Sequence, residues 1–128
     1  MIQKTDEEWR KTLTPEQFHI LREHGTEPRG ASPLNHEKRD GMFRCGACHQ
    51  PLFSSDTKFE SGTGWPSFYR PIEGAIATTT DQSYGMTRIE VHCAQCGGHL
   101  GHVFPDGPAP TGERYCMNGI AMTFEPKK

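Results

Sequence analysis

Five cysteines carry most of the chemistry this chain can do. Four fall in two CxxC pairs, Cys45-Gly-Ala-Cys48 and Cys93-Ala-Gln-Cys96. The spacing lets two thiolates from one tight turn reach the same tetrahedral ion. Gly46 within the first turn, and Gly97-Gly98 after the second, let the backbone fold back without a Cβ clash. Together the pairs make a four-cysteine zinc site. Four protein ligands leave no open position, so the ion is structural and its binding contributes to folding. The pairs lie unusually far apart, beyond the roughly 15–20 residues of common zinc modules, so the intervening segment must carry strands of its own. The rival reading is a redox CxxC, but two such turns in one small chain fit one metal better than two redox centres. The neighbouring His49 and His92 are alternative ligands that read more simply as surface residues.

The fifth cysteine, Cys116, has no such partner. A lone cysteine is most often a small buried hydrophobe. Here its neighbours argue otherwise. If Arg114–Asn118 is extended, the period of two puts Arg114, Cys116 and Asn118 on one face, with Tyr115 and Met117 on the other. A guanidinium beside a thiol favours the thiolate, which is the nucleophilic form. Upstream, His99-Leu-Gly-His102-Val-Phe104-Pro-Asp106 supplies imidazoles, a ring and a carboxylate. Residues 102, 104 and 106 share a face when extended, and Asp106 is placed to pair with Arg114. Either histidine taken alone also reads as a loop cap, and Asp106-Gly107 as a turn. A third stretch, Ser61-Gly-Thr-Gly-Trp65-Pro-Ser-Phe68, fixes a tryptophan on a Gly-rich loop, as a core residue or as the wall of a small apolar pocket. A thiolate, imidazole proton donors and an aromatic wall suit attack on an electrophilic sulfur whose oxygen must leave protonated.

The elements that position these groups read as mainly β with N-terminal helices. Thr5 with Glu8, and Thr14-Pro15-Glu16-Gln17, are two helix starts with capping-box spacing. The second helix presents Phe18, Ile20 and Leu21, and Gly25 is its expected C-cap. Gly25 to Gly41 reads as an extended loop wrapping the fold. Strands follow: 75–80; 87–92 with Thr87, Ile89 and Val91 inward; and a last strand with Ile120, Met122 and Phe124 inward. The expectation is one unit of 1–128, a helical and loop wrap over 1–41 and a zinc-stapled β core over 42–126. The core is two antiparallel sheets in a small twisted sandwich or barrel-like form.

The whole chain holds 128 residues, with net charge −2 and pI about 6.4. No basic stripe accompanies that balance, which argues against a nucleic-acid-binding zinc ribbon. The acidic, polar N-terminus lacks an export signal, and no apolar run suits a membrane span. The expected compartment is the cytoplasm, where patterned cysteines stay reduced.

GWPSF, HLGHVFPDGP and RYCMNG, together with the paired CxxC, closely resemble the methionine sulfoxide reductase B family. The resemblance spans roughly residues 5 to 125. It implies two antiparallel sheets with N-terminal helices, a structural zinc away from the catalytic site, and reduction of the R epimer of methionine sulfoxide in peptides and proteins. It places Cys116 at the catalytic cysteine. His99, His102 and Asn118 match positions that bind water or the sulfoxide oxygen. Trp65 packs on the substrate methyl, Phe104 is a second wall, and Arg114 with Asp106 supports the thiolate. Many relatives carry a resolving cysteine in the Gly-x-Gly before Trp-Pro-Ser-Phe, where this chain has Thr63. The implied partner is therefore an external reductant, thioredoxin or a small thiol, acting directly on a Cys116 sulfenic acid. The alternative from a different class is a zinc-stapled β module that binds protein without catalysis.

Overall fold

The computed structural model describes residues 2–127 apart from 83, 84 and 86. Two short helices open the chain, α1 over Asp6–Thr12 and α2 over Pro15–Glu23. Both capping boxes form: the Thr5 and Thr14 hydroxyls accept from the backbones of Glu8 and Gln17, whose side chains reach back to the cap N–H. Acidic residues in the first turns and basic ones in the last complement the helix dipole. Phe18, Ile20 and Leu21 of α2 are buried, with Trp9 of α1 beside them. The cap of α2 differs from expectation. His24, not Gly25, takes the left-handed conformation, at φ 58°. Gly25 is favoured for a different reason, since a Cβ there would press on the His19 carbonyl oxygen at 2.9 Å as well as displacing the exposed His19 ring. The following wrap is mostly extended but contains a 3-10 turn at Pro33–His36, capped by Ser32.

Among the described residues nine strands follow: β1 Gly41–Cys45, β2 Pro51–Ser54, β3 Lys58–Phe59, β4 Ser67–Phe68, β5 Ile76–Asp81, β6 Arg88–Cys93, β7 His99–Phe104, β8 Arg114–Met117 and β9 Met122–Pro126. They form two sheets, with strand orders β2-β1-β9 and β3-β4-β8-β7-β6-β5. All pairings are antiparallel. Among the described residues neither sheet closes on itself, so the sandwich form holds and the barrel does not. The residues between the CxxC pairs do carry strands, β2 to β5 and most of β6.

Aromatic rings fill the space between the sheets. Phe53 of β2 stacks on Phe68 of β4 at 4.3 Å between centroids, and Phe43 of β1 meets the same ring edge-on at 5.0 Å. Such pairs add to the area they bury. Tyr115 of β8 reaches Phe53 from the larger sheet at 5.9 Å. Tyr115 and Met117 thus face the core and leave Cys116 on the opposite face, as the period of two requires.

Two strand expectations shift. On β6 the buried residues are Val91 and Cys93, while Ile89 is 38% exposed. Its hairpin partner β5 is exposed from Ala77 to Thr80, so no apolar layer covers that end. Ile120 falls in a 3-10 turn at Gly119–Ala121, and only Met122 and Phe124 belong to β9.

Candidate active site and metal centre

The four paired cysteines converge. Cys45 ends β1, Cys93 ends β6, and Cys48 and Cys96 lie in the turns that follow, so the cluster joins the smaller sheet to the larger. Their sulfurs all lie within 4.8 Å of one another. Cys45 Sγ stands 3.7 Å from Cys96 Sγ, and Cys48 Sγ 3.5 Å from Cys93 Sγ. A tetrahedron with Zn–S bonds of about 2.3 Å has edges of about 3.8 Å, so the donor set fits zinc. None of the cysteines is in a disulfide. Hydrogen bonding to its neighbours and burial drive the Cys45 thiol sharply up. The Cys45 thiol in turn holds the Cys48 and Cys96 thiols below the usual thiol range by hydrogen bonding to them. Thiols this close cannot all ionise without a cation among them. His49 and His92 stand outside this cluster.

Cys116 lies on β8 between two strands. Its register partners are Ser67 on β4 and His102 on β7, and Arg114 pairs with Phe104. Paired residues project to the same face, so β7 and β8 together present His102, Phe104, Arg114 and Cys116. Gly101 permits this approach, because a Cβ would collide with the Cys116 carbonyl and sit 3.0 Å from Met117 Cα. Cys116, His102 and Phe104 line a cleft of about 120 Å³ with Trp65, Thr26, Arg88 and Asn118. That is far below the roughly 300–1,000 Å³ of pockets for larger ligands. It suits one small group on a longer chain.

Each wall is held from behind. Arg114 makes a two-point ion pair with Asp106, at 2.9 and 3.2 Å, while its guanidinium sits 4.5 Å over the Phe104 ring. The Trp65 indole donates to the Glu27 carbonyl at 3.0 Å. Ser61, Thr63 and Ser67 form a hydroxyl cluster, with Ser61 Oγ 2.8 Å from Thr63 Oγ1 and 2.7 Å from Ser67 Oγ. His102 Nε2 lies 2.9 Å from Asp81 Oδ2.

Three sequence readings change here. First, burial pushes the Cys116 thiol up, and Arg114 and the Thr63 hydroxyl only partly oppose it, while Glu27 adds to the rise. The guanidinium moderates the acidity without setting it low. Second, the two histidines are not equivalent. His102 lines the cleft, whereas His99, 2% exposed, opens on an adjoining recess with His24, Glu90 and Asp81. Burial pushes His99 down, against its 2.8 Å contact with Glu90. Burial in turn pushes Glu90 up, but the His99 bond and nearby imidazoles outweigh that and hold it below the usual carboxylate range. Third, the Asn118 side chain is spent on the scaffold. Its Nδ2 donates to the Leu100 carbonyl and its Oδ1 accepts from the Glu27 N–H, both at 3.0 Å.

Glu27 is the residue that sequence reasoning missed. It is 2% exposed, and Oε1 accepts from the Ile120 N–H at 2.7 Å, while Oε2 has no partner among the described residues. Burial pushes its carboxyl up. It sits in the wrap, in a polar Thr-Glu-Pro run that no periodicity marks. Asp81, Glu90 and Arg88 were missed too, since each looks like an ordinary polar residue on a strand.

The SelR domain family matches residues 13–126. A peptide methionine sulfoxide reductase MsrB of Agrobacterium fabrum is 57% identical over 98% of this chain and 93% of its own length. One from Methanosarcina barkeri is 57% identical over 97% of this chain and 88% of its own. Among solved structures, the Mis18 "Yippee-like" domain covers 70% of this chain and 99% of its own at TM-score 0.57 and 16% identity, a likeness of fold alone.

Proposed function

The chain belongs to the SelR-domain family of peptide methionine sulfoxide reductases MsrB, and from that premise we propose that Cys116 is its nucleophile and the cleft its substrate site. The activity is that of an oxidoreductase, reduction of the R epimer of methionine sulfoxide in peptides. The observation that carries the site reading is the single cleft shared by Cys116, Trp65, Phe104 and His102.

Trp65 and Phe104 receive the substrate's methyl group, with Glu27 holding the indole in place. The Cys116 thiolate attacks the sulfoxide sulfur. His102, fixed by Asp81, is the proton donor at the departing oxygen, and His99 steadies the recess behind it. Arg114, braced by Asp106, stabilises charge on the thiolate. Asn118 acts as a positioning residue through the backbone it ties. The net transfer is of oxygen from the sulfoxide to Cys116: methionine is released and Cys116 becomes a sulfenic acid. A thiol then condenses with that sulfenic acid, water leaves, and a mixed disulfide forms. A second reductant thiol, within a thioredoxin-type dithiol or from another small molecule, displaces Cys116 as a free thiol. Thr63 offers a hydroxyl where a resolving thiol would stand, which supports an external reductant.

Cys45, Cys48, Cys93 and Cys96 hold zinc, which supplies cross-linking between the sheets and no step of the reaction. The wrap and the zinc-stapled core act as one catalytic unit. Among the described residues no helix is long and apolar enough to cross a membrane. The proposed four-cysteine zinc site needs reduced thiols, which fits a cytoplasmic setting.

The test is a racemic methionine sulfoxide peptide with dithiothreitol or with thioredoxin and its reductase. One epimer should disappear, and Cys116→Ser should abolish the loss with zinc retained. Thiol titration of the zinc-loaded protein should find only Cys116 reactive. Loss of neither epimer, or a disulfide between Cys116 and another cysteine of the same chain after one turnover, refutes the reading.

A further inference from the structure

We propose that His24, Glu90 and His99 form a second metal site, distinct from the cysteine cluster, for a divalent first-row transition ion such as Ni²⁺, Co²⁺ or Zn²⁺. His24 Nδ1 and His99 Nδ1 each lie 2.8 Å from the same oxygen, Glu90 Oε1. One ligand atom from each residue falls within 4.8 Å of the other two. Two imidazoles and one carboxylate are the donor set that borderline divalent ions prefer, and hard calcium or magnesium does not.

Three elements deliver these groups. The left-handed cap of α2 brings His24 in, β6 supplies Glu90 and the start of β7 supplies His99. Burial makes the site selective on one side and accessible on the other. His99 and Glu90 are fixed by packing, with side chains 3% and 12% exposed, whereas His24 is 66% exposed and borders solvent. An ion can therefore enter without opening the fold and keep water on its outer positions. The recess behind it also carries Asp81 and His102. His102 adds a further imidazole to the recess, while the Asp81 carboxylate is already ion-paired at 3.1 Å to Arg88, which lines the same recess.

Proton accounting is simple. A carboxylate oxygen accepts, so both imidazoles now carry hydrogen on Nδ1. Metal binding needs those lone pairs. A neutral imidazole meets that need by moving its proton to Nε2, with no net proton release. The ion then replaces two hydrogen bonds to Glu90 with three coordinate bonds.

The probe is Ni²⁺, titrated calorimetrically into zinc-loaded Cys116→Ser protein, which removes the cleft thiol as a ligand. Zinc content is measured before and after. The expected result is one nickel per chain in addition to zinc. His24→Ala should weaken it more than tenfold, since loss of even an outer partner of a ligand costs roughly 10–100-fold. Because His24 is exposed, that variant folds. Cu²⁺ in the same background should give an electron paramagnetic resonance spectrum split by two nitrogens, and by one in His24→Ala. His19→Ala is the control, because His19 and Glu23 lie 3.4 Å apart on an exposed helix face and form an ordinary surface chelate. Absence of nickel binding, or binding lost in His19→Ala and kept in His24→Ala, overturns the proposal.

Discussion

Asn118→Ala separates a scaffold role from a chemical one. The side chain is 3% exposed and bridges two backbones, accepting from the Glu27 N–H and donating to the Leu100 carbonyl. Alanine leaves the Glu27 N–H buried without an acceptor, which costs about 1–3 kcal/mol. The Leu100 carbonyl fares better, because it also accepts from the Asn118 N–H at 2.8 Å. Losing its second bond adds about 1 kcal/mol, for a total of about 2–4 kcal/mol. With an unfolding entropy of ~2.1 cal/mol/K per residue over 128 residues, the melting temperature should fall by about 7–15 °C. Asn118→Asp should be worse than alanine. It keeps the bond to Glu27 but sets a carboxylate against the Leu100 carbonyl and near the buried Glu27 carboxyl. The assay is reversible thermal unfolding of zinc-loaded protein by circular dichroism, paired with kcat and KM for the peptide. The bond from the Trp65 indole to the Glu27 carbonyl makes KM the parameter that moves more in Asn118→Ala. A fall of less than 3 °C, or an aspartate variant as stable as wild type, would refute this reasoning.

Three further outcomes follow from the same geometry. The alkylation rate of Cys116 by iodoacetamide should rise with pH to a midpoint above that of an ordinary thiol, and Arg114→Met should move it higher still, because burial then acts with less opposition; a midpoint near 6 would contradict the buried-thiol account. Cys45→Ser should release zinc and unfold the chain at room temperature, since structural zinc binds with about 10–16 kcal/mol against a total stability of about 5–15 kcal/mol; chelator-resistant folding of this variant, followed by circular dichroism, would contradict it. Glu27, raised in the fold, binds its proton more tightly there than in the unfolded chain, so its contribution is full below the unfolded carboxyl range and is lost as pH rises through its folded value. Glu27→Gln should therefore flatten that part of the stability-against-pH curve measured by urea unfolding, and an unchanged slope would exclude Glu27 as its source.

What could be read from the residues was local or periodic. Capping boxes act over three positions, so Thr5 and Thr14 gave both helix starts away. The CxxC turns pointed to one shared four-cysteine cluster able to hold an ion, because the ligand geometry is written into the spacing. Strand alternation placed Cys116 and Tyr115 on opposite faces before any partner strand was known. Arg114 and Asp106 were visible as a pair because they lie eight positions apart across one hairpin. Relations across long separations were not legible. Nothing near Glu27 indicates that its backbone meets Asn118, 91 positions away. Ile89 fits an inward pattern, yet its end of the hairpin is uncovered, and burial is a property of the neighbouring layer. The net acidity of Cys116 was not legible for the same reason: Arg114 favours the thiolate as its place in the pattern suggests, whereas the burial that outweighs it comes from strands distant in sequence.

The position of β8 inside the larger sheet bears on the proposed cycle, because it limits how far Cys116 can move. β4 and β7 pair with its two edges, and beyond the ladder Met117 N–H binds the Pro66 carbonyl. Swinging Cys116 toward a distant sulfur would mean unzipping both seams at once. If Cys116 is the nucleophile, as proposed, its oxidised form stays where it was made, and each partner has to come to it. Peptide and reductant would then both reach Cys116 through the cleft it lines and would have to take turns. On that proposal the expected kinetic pattern is double displacement, with an excess of either partner obstructing the other.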